Sequence, residues 1–401
     1  MSQEQGVKGE LSGTERERAL RFILLALWSR KRSKLRESLC HALEGPLDWP
    51  HLLKEAQSQG VAPLLDEALG SLCLEGLVPP SVKLELRNVR AVVLHRNLIL
   101  LSELRRVLDH FRTVGVEGIA LKGPVLAETL YGDISLRPAR DIDLLVKPAD
   151  MPVCRWALAS LGYGSLNRRK ERHAFHDPPY FLAGPPRLCL ELHWGMSDER
   201  LVPLDSKAMW ERAGYALVDG ARVLTLSPED NLLFLAYHLT KHWDMPLRRL
   251  CDIGQLLEKH ETSLNWSYII QALHGTGTKG LVYSSVARAH RLLGAPVPPT
   301  FLESIAPGAA WRFLLGRVAS DRAFLGLSKR LGPERVGLAH CLMHKGMRRV
   351  GQAYLYHILG ESKGPKGLAL FKKVATGMML SWLALLTALG EKGLRGLKPA
   401  D

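Results

Sequence analysis

Residues 141–146, Asp-Ile-Asp-Leu-Leu-Val, constrain this chain more than any other stretch. In an extended strand, successive side chains alternate between faces, so Asp141 and Asp143 share one side while Ile142 points into the core. The continuation Leu-Leu-Val is apolar on both sides, which predicts a buried strand. Two carboxylates roughly 7 Å apart on one face repel each other unless a cation sits between them. A divalent ion meets that need, and Mg2+ favours a few carboxylates together with phosphate oxygens. A bare D-x-D is short and common and usually marks only a solvent-facing strand end, so the neighbouring segments decide the reading.

Upstream, "GVEGIALKG" reads as a short strand closing in a tight turn at Gly123, a residue that lets the backbone approach a phosphate closely. "PVLAETLYG" follows as a short helix with Pro124 in its first turn. Downstream, "ADMPVCRWALASLGY" reads as a helix, and "PPYFLAG" and "RLCLELHWG" read as strands. In the last of these, alternation puts Leu190 and Leu192 on one face and Glu191 and His193 on the other. Glu191 is then a third carboxylate on a neighbouring strand. Three such acids can complete a two-metal site that holds the attacking and leaving oxygens of an in-line displacement. His193 can touch substrate, although a satisfied strand histidine beside Trp194 is the plainer reading.

The flanks have a helical texture. From about residue 14 to 112, apolar residues recur at helical spacing, and Pro79–Pro80 precede a long amphipathic run with Ser81 as a candidate N-cap. The helical period returns at "LSPEDNLLFLAYHLTKHW", where Ser227 is a candidate N-cap, Pro228 holds the first position and Asp230 the third. Further helices are expected over 247–260, 265–275, 280–293 and much of 310–360. His238 and His242 have i, i+4 spacing, but no third ligand is in sight, so helix packing is expected, with His238 facing Asp252. "RRKERHAFHDPP" at 168–179 is a polar loop able to order over a substrate. The chain therefore divides into a helical region over 1–112, a mixed-sheet core over 113–200, a helical domain over 201–360 and a basic and apolar segment over 361–401.

The net charge of +14 is uneven: residues 311–401 hold 16 Lys/Arg against 5 Asp/Glu, +11 of the total. That points to an anionic partner for the C-terminal end. No helix-turn-helix, zinc or RNA-binding signature supports nucleic acid. Residues 374–390, "VATGMMLSWLALLTALG", are short for a spanning helix. They suit a buried helix or, with the basic residues of 366–398, docking at the anionic surface of an inner membrane. Six scattered cysteines without C-x-x-C spacing and a polar N-terminus without a signal pattern point to the cytoplasm.

The order Leu-Lys-Gly, a helix ending in Leu-Tyr, Arg-x-x-Arg-Asp-Ile-Asp-Leu-Leu-Val and a strand carrying Glu-Leu-His-Trp resembles the nucleotidyltransferase fold of the DNA polymerase beta superfamily. More closely, it resembles the bacterial family described as uncharacterised nucleotidyltransferases. The motif core covers roughly 115–195, and the helical stretch to about 260 is similar too. The resemblance implies an α+β fold with a small mixed sheet between helical regions. It implies Asp141, Asp143 and Glu191 as catalytic metal ligands, one or two Mg2+ ions, and a nucleoside triphosphate as substrate. Glu191 or Asp143 would be the base for an acceptor hydroxyl of a small molecule, glycan or protein. Where the superfamily turn has Gly-Gly or Gly-Ser, Lys122 and Gly123 stand here as candidate nucleotide-binding residues. Arg137 and Arg140 are candidates for phosphate pairing; salt bridges to the aspartates or to Asp133 are the alternative for them. Loss of catalysis, leaving a nucleotide-sensing or interaction module, is the competing function.

Overall fold

Helical apolar spacing over the first hundred residues produces α1 (Gly13–Ser29), α2 (Trp49–Ser58), α3 (Ala62–Ser71) and the 34-residue α4 (Pro80–Thr113). Asp48 caps α2 by accepting from the His51 N–H. Helix α4 begins one residue before the expected cap Ser81. Pro80 itself opens the helix, because its fixed φ suits the first turn and its missing N–H costs no bond there. The computed structural model describes residues 13–29, 47–165, 175–184, 187–197, 204–241, 246–309, 311–312 and 320–325. It comprises two compact units, residues 1–276 with 281–306 and residues 277–280 with 307–401.

The first unit contains a seven-stranded mixed sheet with strands in the order β3-β4-β5-β2-β1-β7-β6. These are β1 (Ile119–Ala120), β2 (Ile142–Leu145), β3 (Tyr163–Ser165), β4 (Tyr180–Leu182), β5 (Leu188–His193), β6 (Gly214–Val218) and β7 (Ala221–Thr225). Strand β2 lies at the centre, antiparallel to β1 and parallel to β5. Helix α5 (Met151–Ser160) follows β2, and α6 (Ser206–Arg212) precedes β6. Leu100, Leu104, Val107 and Phe111 of α4 pack with Cys154, Ala157 and Leu158 of α5 against Ile142, Leu144, Leu190 and Leu192 of the sheet. The sheet thus reaches Thr225, beyond the expected core limit of 200. The hairpin β6–β7 turns at Asp219-Gly220, both with positive φ (47° and 76°).

Beyond the sheet come α7 (Pro228–Lys241), α8 (Pro246–Lys259), α9 (Trp266–Ala272), α10 (Lys279–Leu293) and α11 (Pro299–Ile305). Ser227 caps α7 as its sequence predicts: its Oγ accepts from the Asp230 N–H at 3.2 Å and donates to Asp230 Oδ2 at 2.8 Å. In the second unit a short helix, Asp321–Phe324, is described. The expected helices of 326–360, the apolar run 374–390, the basic stretch 366–398, His242 and residues 168–174 of the polar loop lie outside the described residues. Among the described residues, no helix is long and apolar enough to cross a membrane.

Candidate active site

The segment 133–141, which leads into β2, has no sheet ladder of its own, so its backbone groups need other partners. Helix α4 supplies them. Asn97 is fully buried, and its amide donates to Ile134 O at 2.5 Å and Arg137 O at 2.8 Å. Arg96 donates to Arg140 O at 3.1 Å, and Arg90 reaches Ser135 Oγ at 2.8 Å and Asp133 at 2.7 Å. The helix thereby fixes where Asp141 enters the strand. Gly123 closes the other side with φ +70° and ψ −142°, a conformation nearly confined to glycine. A Cβ there would lie 3.0 Å from Asp141 O. A π-helical turn, Ala127–Tyr131, then leads to Gly132 in the left-handed region.

Parallel pairing places Asp143 opposite Glu191 and Leu145 opposite His193. Asp143 is buried, and Lys122 Nζ donates to its Oδ1 at 2.9 Å. His193 Nε2 lies 3.2 Å from the same oxygen and 3.5 Å from Glu191 Oε2. Lys122 also donates to His238 Nε2 on α7 at 3.3 Å. The expected pairing of His238 with Asp252 is replaced by this contact, since Asp252 is engaged elsewhere. Phe175, within the polar loop, stacks on His193 with centroids 6.2 Å apart. Alternation alone puts His193 on the same strand face as Glu191. Its bridge between two acids needed the register of β2 against β5.

The charges of this group are strongly interdependent. Burial disfavours an ionised Asp143, but Lys122 and His193 hold its carboxyl well below the usual carboxylate range. Burial likewise opposes the charge on Lys122, and Asp143, Asp141 and Glu191 outweigh it and raise the ammonium's pKa. The hydrogen bond from His193 lowers Glu191. Burial works against a charged His193, yet its bonds to Asp143 and Glu191 raise it. Asp141 is the exception: burial first, and then repulsion from Asp143, push its carboxyl up to about 6 despite Lys122.

Asp143, Glu191 and His193 each offer a ligand atom, all within 4.8 Å of one another. Asp141 adjoins this group electrostatically but is not a member of it. A cation fits on one observation in particular. Asp143 Oδ1 is shared by Lys122 and His193, whereas its Oδ2 is buried with no hydrogen-bond partner. Such an orphaned carboxylate oxygen is costly in a protein interior unless something binds it.

The two arginines expected to meet phosphate are placed differently from each other. Arg137 is buried, and its guanidinium grips Asp252 of α8 at 2.7 and 2.9 Å and donates to Gly123 O at 3.2 Å. Burial opposes its charge, but Asp252 raises its pKa. Tyr131 donates to the same carboxylate at 2.8 Å. Asp133, the expected alternative partner for Arg137 or Arg140, pairs instead with Arg90. Arg140 is exposed beside Asp141, and among the described residues no carboxylate pairs with it.

Among solved structures, an antigenic nucleotidyltransferase-like protein from Paracoccidioides brasiliensis is similar at 14% identity, covering 53% of this chain and 95% of that one, with a TM-score of 0.30. No curated protein sequence matches. The sequence profile described as "Uncharacterised nucleotidyltransferase" matches residues 45–294, well over half of the chain and every residue of the site above. The chain belongs to the family of uncharacterised nucleotidyltransferases.

Proposed function

We propose that the protein is a metal-dependent nucleotidyltransferase, moving a nucleoside monophosphate from a nucleoside triphosphate such as ATP to an acceptor hydroxyl of a small molecule, glycan or protein. The observation that carries this reading is the buried, unpartnered Oδ2 of Asp143 inside a group of three ligand-bearing side chains. Asp143 and Glu191 would hold the ion, with Asp141 completing the acidic set and His193 as a nitrogen donor or substrate contact. When bound, Mg2+ neutralises charge developing on the phosphoryl oxygens, and a second ion would serve the leaving group. The carboxylates suit Mn2+ as well as Mg2+.

The chain's own groups do the rest. Gly123 brings the backbone close to the acids without a Cβ in the way, and Lys122 supplies a fixed positive charge against Asp143. Arg137 anchors the 123–141 segment to α8 and positions the acids, and Arg140 faces outward to meet phosphate. Glu191, whose carboxyl is held low, is the ionised group nearest Asp143 across the sheet and the candidate base for the acceptor proton. The setting would be cytoplasmic, with residues 366–398 docking to an anionic membrane surface.

Incubation of the full chain with Mg2+ or Mn2+, each labelled triphosphate and cell extract tests the reading. Labelled product from the wild type and none from Asp143→Asn supports it. A second reading, a nucleotide-binding or interaction module without catalysis, is favoured by the Lys122 ammonium already sitting on Asp143. Metal-dependent nucleotide binding with no product under any condition would select that second reading.

A further inference from the structure

Unfavourable electrostatic placements coincide at the start of α8. Arg248 and Arg249 stand in its first turn, where the helix dipole is positive and disfavours cations. Arg248 lies four residues before Asp252 and so on the same helix face, the face that rests on the 123–140 segment. There Asp252 grips Arg137 and Tyr131, while Arg248 Nη1 donates to Pro138 O at 2.8 Å. Asp252 is thus saturated by others. The Arg248 Nε is buried with no hydrogen-bond partner. Among the described residues, no carboxylate forms an ion pair with Arg248 or with Arg140. Burial and then the neighbouring Arg137 push the Arg248 guanidinium down to about 10, with Arg249 and Arg140 adding to the effect and Asp252 opposing it.

A half-buried guanidinium that pairs with no carboxylate among the described residues and stands among other arginines gains most from a multiply charged anion, because its planar fork matches phosphate oxygens. Pro138, whose carbonyl it holds, is three residues before Asp141, so this cationic cluster adjoins the acidic group along one continuous segment. An extended substrate with one end at the acids and a negative tail would meet both. We propose that Arg248, together with Arg140, binds the polyphosphate tail of the nucleoside triphosphate. The assignment rests on the nucleotidyltransferase reading and adds to it the subsite from which pyrophosphate would leave. A phosphorylated acceptor offers the same chemistry, and competition separates the two sources.

The probe is inorganic tripolyphosphate, added to the full chain in chelator and followed by thermal unfolding and calorimetry; a ligand that binds only the folded state raises the transition. The expected result is saturable stabilisation of the wild type, at least tenfold weaker binding to Arg248→Gln, partial recovery in Arg248→Lys, and competition between tripolyphosphate and ATP once Mn2+ is added. Arg140→Gln, at an exposed position, should weaken binding several-fold with unchanged unfolding in the absence of anion. No stabilisation of the wild type, equal binding by Arg248→Gln and Arg140→Gln, or simultaneous binding of tripolyphosphate and ATP would overturn the proposal. Failure of the broader reading would look different: the wild type would bind no ATP in the presence of Mn2+ or Mg2+.

Discussion

Replacing Asp141 by Asn removes a charge while keeping the side chain's shape, and the structure gives the direction of the effect. The Asp141 carboxyl is pushed from 3.8 to about 6 by burial and by Asp143, which means that the metal-free fold disfavours its ionised form. A rise of that size corresponds to about 3 kcal/mol as an upper bound, since each tenfold change in acidity is about 1.4 kcal/mol. Asp141 is only half-buried, so solvent screening reduces the expected gain to about 1–2 kcal/mol. In chelator at pH 8, urea unfolding of the full chain should therefore find Asp141→Asn more stable than the wild type.

The pH dependence follows from linkage. Because the folded-state value lies above the unfolded one, the destabilisation is full above about pH 6, shrinks as pH falls through 6, and vanishes below the unfolded value near 3.9. The gap between variant and wild type should thus be widest at pH 8 and clearly smaller at pH 5. Adding Mn2+ or Mg2+ should stabilise the wild type more than Asp141→Asn, in which Asp143, Glu191 and His193 remain to hold the ion, and so narrow the gap. Equal or lower stability of the variant at pH 8 in chelator would refute the argument that Asp141 is held against repulsion.

Gly123→Ala forces a Cβ to 3.0 Å from Asp141 O at a positive φ; a loss of about 1–3 kcal/mol is expected by denaturant unfolding, along with weaker metal binding. Asp252→Asn leaves the buried Arg137 short of its partner and should cost about 3–5 kcal/mol, while the double change Arg137→Met with Asp252→Leu should recover much of that loss. Asn97→Leu orphans two carbonyls of the 133–140 segment, and a loss of about 1–3 kcal/mol is expected together with a larger drop in metal affinity than its distance from the acids suggests.

Legibility in the sequence followed the range of the interaction. The acids of β2 and β5, the turn at Gly123 and the cap at Ser227 are encoded within a few residues, by alternation or by cap chemistry, and each could be read locally. The β6–β7 hairpin was also local. Asp219-Gly220 between alternating apolar residues is a strong two-residue turn signal, but the helical texture that dominates after residue 201 hides it. The arginines were another matter. Arg137 reads like a phosphate ligand because it sits beside the acids, yet its partner Asp252 is 115 residues away, and nothing near either residue announces the pair. His193 falls between these cases: its face was legible, whereas its bridge between Asp143 and Glu191 depends on strand register.

These long-range contacts explain how the chain tolerates so unfavourable a concentration of charge. The acidic group is stabilised internally by Lys122, in the turn that follows β1, and by His193 of β5. Arg137 is neutralised from outside the sheet by α8, and α4 pins the loop between through Asn97 and Arg96. What these partners leave uncompensated is small and specific: the Asp143 Oδ2, the raised Asp141 and the Arg248 guanidinium. The first two call for positive charge and the third for negative charge, and all three adjoin residues 138–143. A metal–polyphosphate complex carries both signs in that order, so its binding would relieve the strain at both ends of the segment in one event.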